Sequence, residues 1–161
     1  MSGLTTNYDL VEAASKYGIP LLDVKNKDQL RPHASTAGGY IVNLEDSVAP
    51  DGGALPGTHW VSIFVDPRKK QAVYFDPFGF PPPSKVVRAF SKFLPIDHSS
   101  VQVQSANSTV CGYYCLFFIY FISKDGSSTL KARLDNFLKL FNATDPGKNL
   151  ALLQRYFKQS F

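Results

Sequence analysis

Two cysteines, Cys111 and Cys115, stand four residues apart at the start of an apolar run in this chain of 161 residues. A cysteine attacks a carbonyl carbon as its thiolate, and a helix N-terminus or a nearby imidazolium lowers the pKa of a thiol from about 8.5 to roughly 3.5–7.5. Three residues that can cap a helix, Asn107-Ser108-Thr109, lie just before Cys111. The sequence therefore predicts that Cys111 lies in the first turn of a central helix as a candidate nucleophile. Cys115, one turn deeper, is expected to be a small buried hydrophobic residue.

Nucleophilic catalysis by a thiol also requires a base and a third group that orients this base. His59 precedes one β-rich run, residues 60–65, and Asp76 follows the next, residues 71–75. The five residues between the runs begin with Asp66-Pro67 and predict a hairpin turn. In antiparallel pairing the start of the first strand lies beside the end of the second. His59 and Asp76 are therefore predicted to meet at one edge of a sheet as general base and orienting acid.

Other residues compete for these two roles. His33 and His98 lie in polar, loop-like stretches where no β-rich run places them against an acid. Asp66 competes with Asp76, but its position before Pro67 predicts that it begins the turn at the opposite end of the hairpin. Geometry therefore favours His59 as the base.

Acyl transfer needs hydrogen-bond donors for the oxyanion as well. Gln104 ends a predicted short strand, residues 100–104, and its amide is the candidate donor beside the backbone N–H of Cys111. Its alternative role is that of a polar residue at a strand edge. Gly112 leaves space for close approach. Asn43 either assists the site or hydrogen-bonds a loop, and the sequence does not separate these roles.

The elements that must position these residues can be followed along the chain by apolar spacing and by turn residues. The first is a helix capped by Thr6, with Leu10, Val11, Ala14 and Tyr17 on one face and Gly18 at its end. A buried strand over 38–44, a Gly/Pro-rich loop over 49–57 and the hairpin follow. The remaining elements are a short helix capped by Ser84, the strand 100–104, the central helix over 110–123, and two amphipathic helices with apolar stripes at 130–141 and 150–157. The stretch 78–83 either lines a peptide groove or packs under the edge of the site, and packing is the favoured interpretation.

Composition narrows the class of protein. With 44% hydrophobic and 14% aromatic residues, the chain is expected to form a single domain, residues 1–161, with its own core. Two cysteines in one helix are no disulfide framework and three scattered histidines have no metal-ligand spacing, so no metal and a reducing compartment are predicted. No secretory leader is recognised and no apolar run reaches the roughly 20 residues of a membrane span, so neither secretion nor membrane contact is expected. The net charge of +4 leaves non-specific DNA binding open, although the basic cluster Arg68-Lys69-Lys70 is more typical of a solvated turn.

These residues together resemble the adenain branch of the Ulp1-like cysteine proteases, a group with members in adenoviruses, virophages and Polinton-type elements and with the SUMO-specific proteases as cellular relatives. The resemblance covers about residues 38–123. It is carried by Ile41-Val42-Asn43, by His59-Trp60, by the run from Tyr74 to Gly79, and above all by Gln104 seven residues before Cys111-Gly112. It implies an α+β papain-like fold of the adenain/Ulp1 type, with the central helix packed on a small, mostly antiparallel sheet.

The resemblance also implies roles. Cys111 would be the nucleophile, His59 the general base, Asp76 the orienting acid and Gln104 the oxyanion donor, with Trp60 beside the substrate groove. The acid is Asp here, as in the cellular branch, whereas adenain has Glu. Adenain is activated by a peptide that forms a disulfide with a cysteine upstream of its nucleophile. No cysteine precedes Cys111, so activation of that kind is not expected.

The function implied is that of a thiol endopeptidase which processes capsid or other virion precursors, with small residues, particularly Gly, around the scissile bond. It would act in the virion and in the host cytoplasm or nucleus. No cofactor is expected, while DNA or a non-covalent peptide remains open as an activator. Two alternatives stay open: an isopeptidase that removes ubiquitin or a ubiquitin-like protein, and an inactive nucleic-acid-binding module, which the basic pI alone favours.

Overall fold

The computed structural model describes residues 5–32, 35–44, 59–105, 109–159 and 161, and within them a five-stranded sheet carries helices on both faces. The elements are α1 (Asn7–Tyr17), β1 (Leu21–Asn26), β2 (Gly38–Asn43), β3 (Trp60–Asp66), β4 (Gln71–Phe75), α2 (Ser84–Ala89), β5 (Asp97–His98), α3 (Cys111–Lys124), α4 (Leu130–Leu138) and α5 (Leu150–Phe157). Short 3₁₀ turns lie at Lys27–Gln29, Ser91–Phe93 and Pro146–Asn149.

The strands lie in the order β1-β2-β3-β4-β5. The three central strands are antiparallel, whereas β1 pairs with β2 and β5 pairs with β4 in parallel. The α+β class and the central helix on the sheet are confirmed. The mostly antiparallel sheet is confirmed as well, and parallel pairing is limited to the two edge strands, which return through longer connections that deliver them in the same direction as their neighbours.

The predicted hairpin is confirmed, with Ser62 opposite Phe75 and Asp66 opposite Gln71. At its closed end the Asp66 carboxylate accepts the backbone N–H groups of Arg68 and Lys69, an Asx arrangement that holds the turn. Asp66 is therefore at the far end of the hairpin from His59, as its position before proline predicts.

Helix α3 is buried on nearly all sides and packs across β2 and β3. Gly39 of β2 permits this close approach, because a Cβ at that position would lie 2.4 Å from Cγ1 of Ile119. Side chains of β3 alternate between the two faces of the sheet. Phe64 joins the core under α3, while Val61 and Ile63 join the core on the α2 side.

Helix α1 begins and ends where the sequence predicts. Thr6 and Asp9 form a reciprocal capping box, and Gly18 closes the helix with φ 63°. Leu10 and Ala14 are buried, but Val11 is 52% exposed, so its predicted place on the buried face is wrong. At 100° per residue, Val11 is turned away from the face that Leu10 and Ala14 share.

Several predicted boundaries are corrected. Residues 100–104 are not a strand, since the edge of β4 is occupied by Asp97 and His98, two residues earlier than the predicted run. Ser84 is the first residue of α2 rather than its cap, a position taken by Pro83. Helix α3 likewise has Val110 at its cap position, with no side-chain cap hydrogen bond.

Three sequence-based expectations fall outside the described residues. They are the loop 49–57, the competing base His33 and the cap candidates 107–108. Within the part of the chain that the structure covers, no helix is long and apolar enough to cross a membrane, and no cluster of three metal-ligating side chains occurs.

Candidate active site

A tight turn after β4 fixes the carboxylate of Asp76. The backbone N–H of Gly79 donates to the Asp76 carbonyl at 2.8 Å, and the order Asp-Pro-x-Gly is typical of a type I turn. The N–H of Phe78 donates to Asp76 Oδ1 at 2.7 Å. Gly79 has φ 83°, and a Cβ there would lie 2.9 Å from the backbone carbon of Val101. The sequence of the turn therefore determines the orientation of the Asp76 carboxylate.

His59, the residue before β3, meets this carboxylate as predicted. Its Nε2 lies 2.9 Å from Asp76 Oδ1, so one carboxylate oxygen accepts from both the imidazole and the Phe78 N–H. The Asp76 side chain is 1% exposed and the His59 side chain 19% exposed. A buried carboxylate thus holds an imidazole that remains partly exposed.

Cys111 is the first residue of α3 and is 5% exposed. The backbone N–H of Trp60 donates to its Sγ at 3.4 Å, which ties the sulfur to the residue directly after His59. The sulfur therefore lies at the N-terminal end of a helix and within reach of a backbone N–H donor. The candidates for nucleophile, base and acid therefore lie together where β3 begins, β4 ends and α3 begins.

The imidazole is held in a cationic state by its neighbours. Burial lowers the pKa of His59, but the hydrogen bonds and negative charges of Asp76 and Cys111 outweigh burial and raise this pKa from 6.5 to about 9. Nδ1, the nitrogen not bound to Asp76, is buried and completes no hydrogen bond of ordinary geometry within the described residues. The Cys111 thiol is near enough to the imidazole to contribute to this raised pKa.

Cys115 has the environment of a structural residue. It is fully buried, its Sγ donates to the Trp60 carbonyl at 3.4 Å, and burial raises the pKa of its thiol well above the ordinary value. Trp60 therefore bonds one cysteine through its N–H and the other through its carbonyl. The two cysteines, one helical turn apart on α3, therefore contact the backbone N–H and the backbone carbonyl of the same residue on β3.

Gln104 is tied to the turn that carries the acid. It is fully buried, and its backbone N–H donates at 3.1 Å to the carbonyl of Pro77, which also accepts from Val103 at 2.9 Å. Gln102 Nε2 donates to the Gln104 carbonyl at 2.9 Å. These bonds hold the segment before the nucleophile against the residue that follows Asp76, although no strand forms. The role of the Gln104 amide as oxyanion donor stays a prediction.

We expect Gln104→Ala to reduce kcat about 10²- to 10³-fold with little change in KM, because an oxyanion donor acts mainly in the transition state. Peptide hydrolysis by the folded variant measures this. Gln102→Ala is the matched control, since it removes a neighbouring amide that holds only backbone. Equal kcat for Gln104→Ala and Gln102→Ala would exclude the oxyanion role.

Three further sequence-predicted residues lie around the start of α3. Trp60 is 5% exposed, and its indole N–H donates to the carbonyl of Thr5 at 3.3 Å, so it lies beneath the start of α1. Gly112 does permit a close approach, but by the protein itself, because a Cβ there would lie 2.8 Å from Leu10 Cδ2 and 3.3 Å from Trp60 Cδ1. Asn43 is 3% exposed and pairs with Trp60 in the sheet.

His98, the other rival base, lies on the outer side of β4. His98 is exposed in β5, and its Nδ1 contacts the carbonyl of the adjacent Ser99 at 3.0 Å. It lies opposite Tyr74 of β4, on the far edge of the hairpin from β2. Its assignment to a loop is corrected, since the two-residue strand β5 includes it.

Phe78 begins the stretch 78–83, for which packing under the edge of the site is the favoured interpretation over a peptide groove. Its ring stacks on the His59 imidazole, with centroids 4.7 Å apart and planes at 19°. The same residue donates its N–H to Asp76 Oδ1, so one turn residue contacts both members of the pair. The signal in the sequence was its place after Asp-Pro, where a turn directs the next side chain back toward the strand end.

We expect Phe78→Leu to lower kcat/KM by about tenfold. A flexible aliphatic side chain would no longer keep the imidazole ring of His59 in the orientation that forms the hydrogen bond to Asp76. Phe78→Tyr, which keeps the ring, should restore most of the activity. NMR titration of His59 separates positioning from folding, because its pKa should move in Phe78→Leu and stay near the wild-type value in Phe78→Tyr. Identical titrations in all three proteins would contradict a positioning role.

Comparison with known proteins gives viral relatives. No protein-family model matches the chain. It is 32% identical over 142 residues to the cysteine protease S273R of African swine fever virus, which covers 80% of this chain and 45% of the relative. It is 27% identical over 127 residues to the protease of bovine adenovirus 7, covering 64% of the chain and 62% of the relative. A third relative, the protease of human adenovirus D serotype 17, is 28% identical over 80 residues.

The chain spans 45% and 62% of the first two of these relatives, about half their length. Among solved structures, the crystal structure of the ASFV pS273R protease superposes with a TM-score of 0.50 at 23% identity, covering 83% of this chain and 58% of that chain. At 23% sequence identity, this structural similarity shows that the two proteins share a fold.

Proposed function

Because the chain is a homologue of the adenain-like viral cysteine proteases, we propose that it is itself a cysteine endopeptidase. The observation that carries this proposal is the position of His59, bound to a buried carboxylate at 2.9 Å on one nitrogen and next to the Cys111 thiol at the start of a helix. A free thiol, a cationic imidazole and an orienting acid are the groups that acyl transfer by cysteine requires.

In the first half of the reaction, Cys111 as thiolate attacks the carbonyl carbon of a peptide bond. The negative charge that develops on the carbonyl oxygen is stabilised by the Gln104 amide and the backbone N–H of Cys111. Imidazolium His59 then donates its proton to the leaving amine as the C–N bond breaks. Asp76 keeps Nε2–H in place throughout, so that the other ring nitrogen faces the reacting atoms.

In the second half, water replaces the amine. Neutral His59 removes a proton from water while the oxygen attacks the thioester, and the Cys111 thiolate leaves as the carboxylic acid product forms. His59, now protonated by the water, and the released thiolate are again the starting pair, and the product acid loses its proton to solvent. This chemistry uses only groups of the chain, so no metal or cofactor takes part in the proposal.

The substrates proposed are proteins, in particular the capsid or other virion precursors of a virus or virus-like element. The support is that the curated relatives are proteases of viruses. Both cysteines are free thiols, in accord with a reducing environment in the host cytoplasm or nucleus. Small residues, particularly Gly, are proposed around the scissile bond.

The function is tested with a library of peptides from a denatured proteome, incubated with wild type or Cys111→Ala, each with and without duplex DNA. New termini are read by mass spectrometry. The proposal expects termini clustered at small residues in the wild-type samples alone, and the DNA arm shows whether DNA is an activator. A protein that cleaves no library peptide but is labelled at Cys111 by a ubiquitin-like vinyl sulfone would contradict an endopeptidase and indicate an isopeptidase.

A further inference from the structure

The N-terminal helix α1 lies against the first turn of α3, the turn that carries Cys111. The contact is made by Leu10, which is fully buried, and by Gly112. A Cβ on Gly112 would lie only 2.8 Å from Cδ2 and 3.4 Å from Cδ1 of Leu10. Protein interiors are packed so closely that a change of a single methylene group shifts its neighbours. A side chain of α1 therefore limits where the first turn of α3 can lie.

Trp60 makes the second contact between α1 and the proposed active site. Its indole N–H donates at 3.3 Å to the carbonyl of Thr5, the residue directly before the cap of α1. Its ring also faces α3, since a Cβ on Gly112 would lie 3.3 Å from Cδ1 of the indole. Its backbone N–H donates to Cys111 Sγ at 3.4 Å. One residue therefore contacts the start of α1, the first turn of α3 and the candidate nucleophile.

Helix α1 is itself held at both ends. At its start, Thr6 and Asp9 form the reciprocal capping box, which fixes the backbone next to the Thr5 carbonyl. At its end, the hydroxyl of Tyr17 donates to the carbonyl of Phe157 in α5, which ties the last turn of α1 to the core. The helix is therefore a fixed support for the residues that it contacts.

The place of this turn matters for the proposed chemistry, because Cys111 is its first residue. Attack on a carbonyl carbon requires the two reacting atoms to be held about 3–3.5 Å apart, and a displacement of about 1 Å can cost about 10²-fold in rate. The residue at the cap position is Val110, whose side chain has no hydrogen-bonding group. Packing against other elements must therefore contribute to holding the thiol in place.

We propose that Leu10 and Trp60 are positioning residues of the proposed reaction, through which α1 sets the place of the first turn of α3 and of the Cys111 thiol. The inference rests on the proposed function and extends the site to a helix that carries none of the four proposed catalytic residues. The indole of Trp60 supports the nucleophile's helix in this assignment. These contacts act on the attacking atom, so their loss should appear in kcat and not in KM.

The test is a double-mutant cycle in which one substitution changes sign. Leu10→Ala alone removes the support and should lower kcat about tenfold, with KM within about twofold of wild type. Gly112→Ala alone forces a Cβ against Leu10 and Trp60 and should lower kcat about 10²-fold. In the double variant the new methyl group occupies space that the shortened side chain has left. Leu10→Ala should therefore raise kcat about tenfold when Gly112→Ala is already present.

Leu134→Ala is the matched control for the loss of a buried leucine. Leu134 is 1% exposed in the same core, but it belongs to α4, whose first residue, Leu130, donates its N–H to Gln71 at the closed end of the hairpin. This variant should lose thermal stability much as Leu10→Ala does and keep the wild-type kcat. Should Leu10→Ala fail to fold, Leu10→Val takes its place in the cycle.

Trp60→Phe tests the indole separately. It removes the N–H that bonds Thr5 but keeps an aromatic ring and the backbone N–H that donates to Cys111. We expect kcat to fall about fivefold with KM unchanged. All rates are measured with a peptide found in the library screen, at a temperature where thermal unfolding shows each variant to be folded.

The outcomes separate the positioning role from the activity. Equal kcat for Leu10→Ala and Leu134→Ala, or a double variant slower than Gly112→Ala alone, would overturn the role of α1 and leave the proposed function standing. A wild-type kcat in Trp60→Phe would overturn the role of the indole. Absence of Cys111-dependent cleavage with every substrate would overturn the proposed function and the inference together.

Discussion

Replacing Cys111 with alanine is expected to lower the rate of peptide hydrolysis by at least about 10³-fold. The small remaining activity would come from substrate binding and the oxyanion donors. Cys111 is the thiol that the helix start, the Trp60 N–H and the cationic His59 surround. The substitution removes the sulfur atom that, in the proposed mechanism, forms the covalent intermediate. Initial rates on a peptide found in the library screen measure the effect.

Cys115→Ala is the matched control, because it changes the other cysteine of the same helix. Its thiol is fully buried and has a raised pKa, so the variant should keep activity within about threefold while losing some stability from the small cavity it creates. Iodoacetamide should modify Cys111 in the native protein and Cys115 only after unfolding. A Cys111→Ala protein that retains wild-type activity would refute the assignment of the nucleophile.

Asp76→Asn is expected to reduce kcat/KM about 10²- to 10⁴-fold, since the neutral amide can hold the imidazole in the wrong tautomer. The amide oxygen can still accept the Phe78 N–H, so the turn is retained. The loss should therefore appear in a folded protein. Asp66→Asn is the control, because Asp66 stands at the closed end of the hairpin and also accepts backbone N–H groups.

The pH dependence of Asp76→Asn gives a sharper test than its rate. His59 has a pKa raised to about 9, so imidazolium is present below that pH and is lost above it. The basic limb of kcat/KM in wild type should lie near pH 9 and belongs to the thiol–imidazole pair as a whole. Without the Asp76 charge the limb should move to lower pH. A limb at the same pH in both proteins would show that Asp76 does not act on His59.

The same shift predicts how stability depends on pH. Because the folded pKa of His59 is above its ordinary value of 6.5, protonation of His59 stabilises the fold fully below about pH 6.5, and this stabilisation is lost as pH rises toward 9. Thermal unfolding should show a steeper decline over this range in wild type than in Asp76→Asn.

The meeting of His59 and Asp76 could be predicted from sequence because it depends on local information. Two β-rich runs and the turn at Asp66-Pro67 determine an antiparallel pairing, and this pairing determines which ends are adjacent. The cysteines could be ranked for a similar reason, since polar residues before Cys111 and apolar residues around Cys115 indicate the end and the interior of one helix.

The errors concern contacts that depend on distant parts of the chain. The alternation over residues 100–104 is typical of a strand, but β4 has its neighbour in Asp97 and His98, and Val103 and Gln104 bond instead to the Pro77 carbonyl. The burial of Trp60 beneath Thr5 and the stacking of Phe78 on His59 depend on tertiary packing and on a turn type, which residue spacing does not reveal.

The most direct test of the central claim is to trap the acyl-enzyme. Wild type is mixed with a rapidly cleaved peptide, quenched in acid within the first turnover and analysed by intact mass spectrometry and peptide mapping. We expect an added mass equal to the acyl half of the peptide, located on Cys111 and removed by hydroxylamine, as is typical of a thioester. Cleavage without such an adduct, or an adduct on any other residue, would contradict it.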